Sequence, residues 1–171
     1  MKLSYPSSIL LGIALLVVTG CQYNPFARRF LKREPSVSEA SGTYVLKEVY
    51  VDMVDSSLSE KIRIHRPIPK IILQADGEAE FSDFPLFKQS GTFDYSFTGY
   101  MNFKARWTIT SAGTVSSGGS DTYTVYGISI SPTDMTQPVD SATFTGKKTP
   151  DGMIFTLYDG DQGQILGFQK Q

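Results

Sequence analysis

The chain has 171 residues, a formal net charge of −1 at pH 7 and one cysteine. This length fits one domain with a short additional segment, and a lone cysteine excludes an internal disulfide. Acidic side chains outnumber basic ones in residues 42–171, which argues against nucleic acid as a partner, because a nucleic-acid-binding domain carries a basic patch.

The first apolar stretch is residues 9–21, which follow Lys2 and contain no charged side chain. Its roughly ten apolar residues are too few to cross a hydrocarbon core, which takes about 20. A charged start, a short apolar run and small residues at its end are typical of a secretory signal. The sequence therefore predicts export across a membrane.

The end of this signal, Val18-Thr19-Gly20-Cys21, resembles the lipobox of bacterial lipoproteins. The resemblance implies that residues 1–20 are removed and that Cys21 carries a diacylglyceryl group and an amide-linked acyl chain such as palmitate. Several acyl chains on one residue give stable membrane anchoring. Gln22 after the cysteine implies sorting to the periplasmic face of the outer membrane if the host is Gram-negative. From the residues alone, an ordinary signal peptide with a chance cysteine and an uncleaved anchor stay open.

Residues 21–41 are predicted to be the lipidated cysteine and a basic, flexible tether. Asn24 and Pro25 suit the start of a short helix ending near Lys32, and Pro35 followed by small residues is typical of a spacer. The tether carries Arg28, Arg29, Lys32 and Arg33 against Glu34 and Glu39. Two interpretations stay open, because these basic side chains fit either contact with anionic headgroups or a solvated linker.

Residues 42–171 contain strand-like runs separated by turn signals, which predicts an all-β domain. The clearest run is 91–98, where aromatic side chains alternate with polar ones. Residues 57–61 fit one helical turn. The predicted strands are residues 43–52, 70–74, 78–84, 91–98, 103–110, 121–131, 141–146, 153–158 and 164–169.

The strand predicted at residues 121–131 changes phase. Tyr123 and Val125 share one face, whereas Tyr126, Ile128 and Ile130 share the other. A β-bulge near Gly127 would bring both groups to the same side.

Adjacent antiparallel strands bury their edges most simply by closing into an up-and-down barrel, here of about eight or nine strands. The Gly-Thr-Tyr at residues 42–44, the hairpin at 73–81, the Gly-Thr-Phe at 91–93 and the closing hairpin at 159–168 are similar to small lipocalin-like barrels on bacterial lipoproteins. Lipocalins begin with Gly-x-Trp and carry a late arginine that packs over the Trp. This chain has Tyr44 and, as its only late basic residue, Lys170.

The sequence predicts no enzyme, metal site or cofactor. His65, the only histidine, lies in a predicted loop where a surface position is expected, although a Ser-His-Asp arrangement would have to use it. Residues 159–163 have the Asp-x-Asp spacing of a calcium loop without its distal glutamate, so a hairpin turn is expected. Glu78 and Glu80 share one face of a strand and are expected to be solvated.

Aromatic side chains are the one feature that suggests a ligand. They either line a pocket for a small apolar molecule or fill the barrel. The pocket candidates are Phe93, Tyr95, Phe97, Phe103, Trp107 and Tyr126. We therefore expect a lipid-anchored envelope protein whose barrel is a non-catalytic binding or interaction module, with an envelope protein as one partner it could bind. The first alternative is a lipocalin-type carrier of a small hydrophobic ligand, and the second is an envelope enzyme.

Overall fold

The computed structural model describes residues 26–51, 56–89, 95–116, 122–133, 139–157 and 165–171. They form a closed barrel in which each strand pairs antiparallel with its neighbour in the sequence and the last strand pairs with the first. The prediction of an all-β up-and-down barrel is confirmed. The strands are β1 (Gly42–Tyr50), β2 (Lys70–Leu73), β3 (Glu78–Gln89), β4 (Tyr95–Ser116), β5 (Thr122–Pro132), β6 (Ser141–Thr145), β7 (Gly152–Thr156) and β8 (Ile165–Lys170). The helical elements are a 3-10 helix (Ala27–Arg29), α1 (Val37–Ala40) and α2 (Ser56–Arg63).

Residues 103–110 and the described part of the strand predicted at 91–98 lie in one strand, β4, and residues 91–94 lie outside the described residues. Phe97, Phe103 and Trp107 all pack on the barrel core, although the β3–β4 register shifts between the pairs Leu86–Gly99 and Phe87–Phe97. Gly99 has a φ of 136°, which a glycine adopts without steric cost. The barrel therefore has eight strands in the described residues, the lower of the two predicted numbers.

The β-bulge predicted near Gly127 is wrong. The β4–β5 register shifts between Ser111 and Gly113, so the irregularity belongs to β4. Strand β5 alternates regularly, with Ile128 in the barrel core and Val125 in a second cluster on the outer face. Both faces of β5 are apolar because both are covered.

The outer face of β5 is covered by the segment that the sequence predicts to be a flexible tether. Phe30 is 6% exposed and packs with Val125, while Leu31 is 0% exposed and belongs to the barrel core. The Leu31 N–H donates to the carbonyl of Phe144 (3.0 Å), and the Tyr126 N–H donates to the carbonyl of Leu31 (3.2 Å). The segment therefore lies between β5 and β6, which pair with each other only at Gly127–Ser129. For residues 26–41 the prediction of a flexible tether is wrong, because Phe30, Leu31 and Ala40 of this segment are buried against the barrel.

Helix α1 continues this attachment. Ser36 and Glu39 form a capping box at its start, and its buried Ala40 accepts a 2.6 Å hydrogen bond from the Tyr44 hydroxyl. Lys170 donates to the Glu39 carbonyl (2.5 Å), with its ammonium 5.8 Å from the centre of the Tyr44 ring. Tyr44 and Lys170 thus make a cation–π contact.

Candidate functional site

The barrel interior is filled by phenylalanine rings. Each ring has neighbours with centroid separations of 4.3 to 6.4 Å, which are the distances of stacked and edge-to-face aromatic pairs. These rings belong to Phe81, Phe84, Phe103, Phe155 and Phe168. Of the two interpretations of the aromatic residues, the described interior fits the filled core.

The predicted pocket residues do not form one site. Phe103 stacks on Phe81 at 4.3 Å, and Trp107 is 3% exposed with its indole N–H donating to the Gln74 carbonyl at 3.0 Å. Phe97 packs edge-on against Phe87, towards the start of β4. Tyr126 is half-buried on β5. Phe93, the Tyr95 side chain and Cys21 lie outside the described residues.

A cavity of about 320 Å³ lies instead against β1, β6, β7 and β8, and Gly152 and Gly167 line it. Both glycines face the outside of the barrel, because the adjacent Met153 and Phe168 belong to the barrel core. A Cβ on Gly152 would come within 2.5 Å of the Phe168 carbonyl oxygen, and one on Gly167 within 3.0 Å of the Glu48 Cβ. Glycine at these positions therefore permits a close approach of neighbouring atoms. We call this cavity the outer groove.

Charged side chains from three separate segments surround the outer groove. Arg28 and Arg29 come from the 3-10 helix, Lys47 and Glu48 from the register shift in β1, and Lys147 and Asp151 from the connection between β6 and β7. The groove thus has four cations and two carboxylates, whereas residues 42–171 as a whole are acidic.

Both carboxylates of the outer groove are engaged within the protein. Glu48 makes a two-bond ion pair with Arg29, with N–O distances of 2.8 and 2.9 Å. This hydrogen-bonded carboxylate raises the pKa of Arg29, against the opposing effect of desolvation. Asp151 accepts a 2.8 Å hydrogen bond from the Thr145 hydroxyl. The Thr145 hydroxyl is neutral, so Asp151 keeps its negative charge. With four cations and two carboxylates the groove has a net charge of +2, which suits it to an anion.

His65 marks a second polar cluster. Its ring stacks on Tyr100 with centroids 3.5 Å apart, and its Nε2 lies 3.6 Å from a carboxylate oxygen of Asp83. Burial raises the pKa of the Tyr100 phenol, and the charge of Asp83 adds to this. The His65 side chain is 23% exposed, so it lies in a loop as predicted and is half-buried there. The stacking holds the connection between α2 and β2 against β4.

The remaining sequence candidates give no further site. Glu78 and Glu80 pair across the strands with Arg106 (2.9 Å) and Lys104 (3.5 Å), on a solvated face as expected. The calcium-like loop at residues 159–163 lies outside the described residues. Within the described part of the chain, no cluster of potential metal ligands occurs. The helices of that part are all too short or too polar to cross a membrane.

Only part of the outer groove is predictable from the sequence. Arg28 and Arg29 are recognisable there as basic residues, but in a segment predicted to be a flexible tether. Lys47 and Lys147 lie 100 positions apart in the sequence, and only the β1–β8 and β7–β8 registers bring them together. The one local signal is the pair Gly152 and Gly167, since a glycine within a strand marks a close approach or a missing side chain.

Comparisons of the chain with models of protein families, with curated proteins and with solved structures find no match.

Proposed function

We propose that the protein is a lipid-anchored lipoprotein of the cell envelope, and that its barrel is a non-catalytic interaction module. The observation that carries the proposal is the lipobox-like Val18-Thr19-Gly20-Cys21 placed only five residues before the folded domain, which is described from Phe26. Such a spacing suits a domain held directly at a membrane surface. If the host is Gram-negative, Gln22 favours the periplasmic face of the outer membrane.

The filled interior supports an interaction module over the alternative of a lipocalin-type carrier. A carrier needs an apolar cavity of roughly 300 Å³ or more, and the described interior is occupied by packed phenylalanine rings. The cavity of this size is the outer groove, and it is lined by charged side chains. Binding is therefore expected at the outer surface, with an envelope protein or the membrane itself as partner.

The anchor is tested by replacing Cys21 with Ser and following incorporation of labelled palmitate. The wild-type protein should be labelled, and its N-terminal peptide should begin at an acylated Cys21. Cys21→Ser should carry no label and should keep residues 1–20 or appear in the soluble fraction. Gln22→Ser changes the neighbouring residue outside the lipobox and should be labelled as the wild type is. An unlabelled wild-type protein would contradict the proposal.

A further inference from the structure

We propose that the outer groove is the surface with which the barrel rests on anionic phospholipid headgroups. This inference rests on the proposed lipid anchor and deepens it, because it names the face that the anchored domain turns to the bilayer. The groove is defined by the cations Arg28, Arg29, Lys47 and Lys147 around the floor of Gly152 and Gly167.

The charge of the groove complements an anionic surface. Arg28, Lys47 and Lys147 are exposed, and none of them takes part in an ion pair among the described residues. Glu48 is neutralised by Arg29, while Asp151, which accepts from the Thr145 hydroxyl, keeps its charge and offsets one of the three cations. The groove therefore presents a net charge of +2 on a domain that is otherwise acidic, and an anionic surface would select this face.

The chain between the anchor and the groove is short. Phe26 lies five positions after Cys21, and five extended residues span at most about 18 Å. Arg28, two positions after Phe26, lines the groove. An acylated Cys21 thus keeps the groove near the headgroups, where attraction acts over a screening length of about 8 Å at physiological salt.

The 3-10 helix that carries Arg28 and Arg29 is firmly connected to the barrel. It leads directly into Phe30 and Leu31, which are buried against the barrel. The Arg29–Glu48 ion pair ties the same segment to β1. The cations of the segment and those of the barrel are therefore presented together as one surface.

The test uses the purified mature protein in vesicles of neutral lipid or of neutral lipid with about one third phosphatidylglycerol. A dye on Thr149→Cys, an exposed position beside Lys147, reports contact with headgroup-attached quenchers. The matched reporter is Thr108→Cys, an exposed threonine on β4. Quenching at position 149 should be strong in anionic vesicles, weak in neutral ones and reduced by 0.5 M salt. Position 108 should show no such dependence.

Charge variants then identify the groove as the cause. Each basic side chain near an anionic surface strengthens contact by about fivefold, so Lys47→Gln with Lys147→Gln should reduce the groove-down population about 25-fold. The control pair Lys88→Gln with Lys104→Gln makes the same charge change elsewhere on the barrel and should have little effect. Equal effects of the two pairs, or equal quenching in neutral vesicles, would overturn the proposal.

Two further outcomes have defined meanings. If inorganic phosphate at matched ionic strength abolishes quenching at position 149, the groove binds free phosphate and the lipid-surface proposal fails. Acylation is read separately from the mass of the Cys21 peptide. If that peptide carries no acyl chain, the anchor fails, and the same quenching assay in a Cys21→Ser background still decides whether the groove contacts anionic lipid.

Discussion

At the scale of single residues, Glu39 shows how one carboxylate holds together the start of helix α1 and the residues before it. It accepts hydrogen bonds from Arg33 and from the backbone N–H of Ser36, at 2.8 Å for the latter. These bonds, the one from Arg33 first, lower the pKa of Glu39 from 4.5 to about 2. A carboxyl group whose pKa is depressed by folding stabilises the fold fully above its unfolded pKa, and this contribution disappears as the pH falls towards its folded pKa.

We therefore predict that the wild-type protein loses stability between about pH 4.5 and pH 2, and that Glu39→Gln loses less over that range because its side chain cannot take up a proton. Urea unfolding at a series of pH values measures this difference. Glu34→Gln is the matched control, since Glu34 is an exposed neighbour outside the capping box, and it should keep the wild-type pH dependence. A Glu39→Gln curve parallel to the wild-type curve would show that the prediction is wrong.

At the scale of elements, the segment around Phe30 and Leu31 acts as a short strand between β5 and β6. Strands β5 and β6 pair only at Gly127–Ser129. Beyond that point, the backbone N–H and C=O groups that the two strands turn towards each other need another hydrogen-bond partner. The backbone of Leu31 supplies it on both sides, to Phe144 and to Tyr126. The barrel wall is therefore completed by residues from outside the predicted barrel domain.

We predict that Leu31→Ala lowers the free energy of unfolding by about 3 kcal/mol, because it removes a fully buried side chain and leaves a cavity. Chemical denaturation of the two proteins measures the difference. Val37→Ala is the control from the same segment, since Val37 is 43% exposed, and it should change stability by less than about 1 kcal/mol. Near-zero effects at both positions would restore the interpretation of residues 26–41 as a tether.

At the scale of the whole molecule, the sequence predicted the barrel well because alternation is local. Apolar side chains recur at every second position within strands such as β4, where Phe97, Phe103 and Trp107 all pack on the barrel core. The covered outer face was not predicted, because an apolar residue such as Val125 does not reveal what packs on it. The change of phase in the sequence of β5 predicts a bulge, but a segment that covers the outer face of β5 explains the apolar residues on both faces without one.

The outer groove was harder to predict than the barrel, since it depends on register rather than on local pattern. Lys47 and Lys147 come together only because β1 pairs with β8 and β8 with β7. Whether the aromatic residues enclose a pocket was also open, because a barrel of eight strands has room either for packed side chains or for one small ligand. Only the ring positions decide between these, and they favour the filled interior.

A filled interior predicts how the protein responds to small apolar molecules. The wild-type protein should gain no thermal stability from benzene, because the rings of Phe81, Phe84 and Phe155 leave it no space. Phe84→Ala should lower the free energy of unfolding by about 3–5 kcal/mol. It should also create an apolar cavity, and engineered apolar cavities bind benzene. Its melting temperature should therefore rise with benzene concentration.

The control for this experiment is Tyr50→Ala, which removes an aromatic ring that is 54% exposed. This variant should lose little stability and, like the wild type, should not respond to benzene, since removal of the exposed ring opens no enclosed space. A wild-type melting temperature that rises with benzene would mean that the barrel already holds an accessible apolar cavity. That result would favour the hydrophobic-ligand carrier over the interaction module, because binding energy would then be available inside the barrel as well as at its charged outer groove.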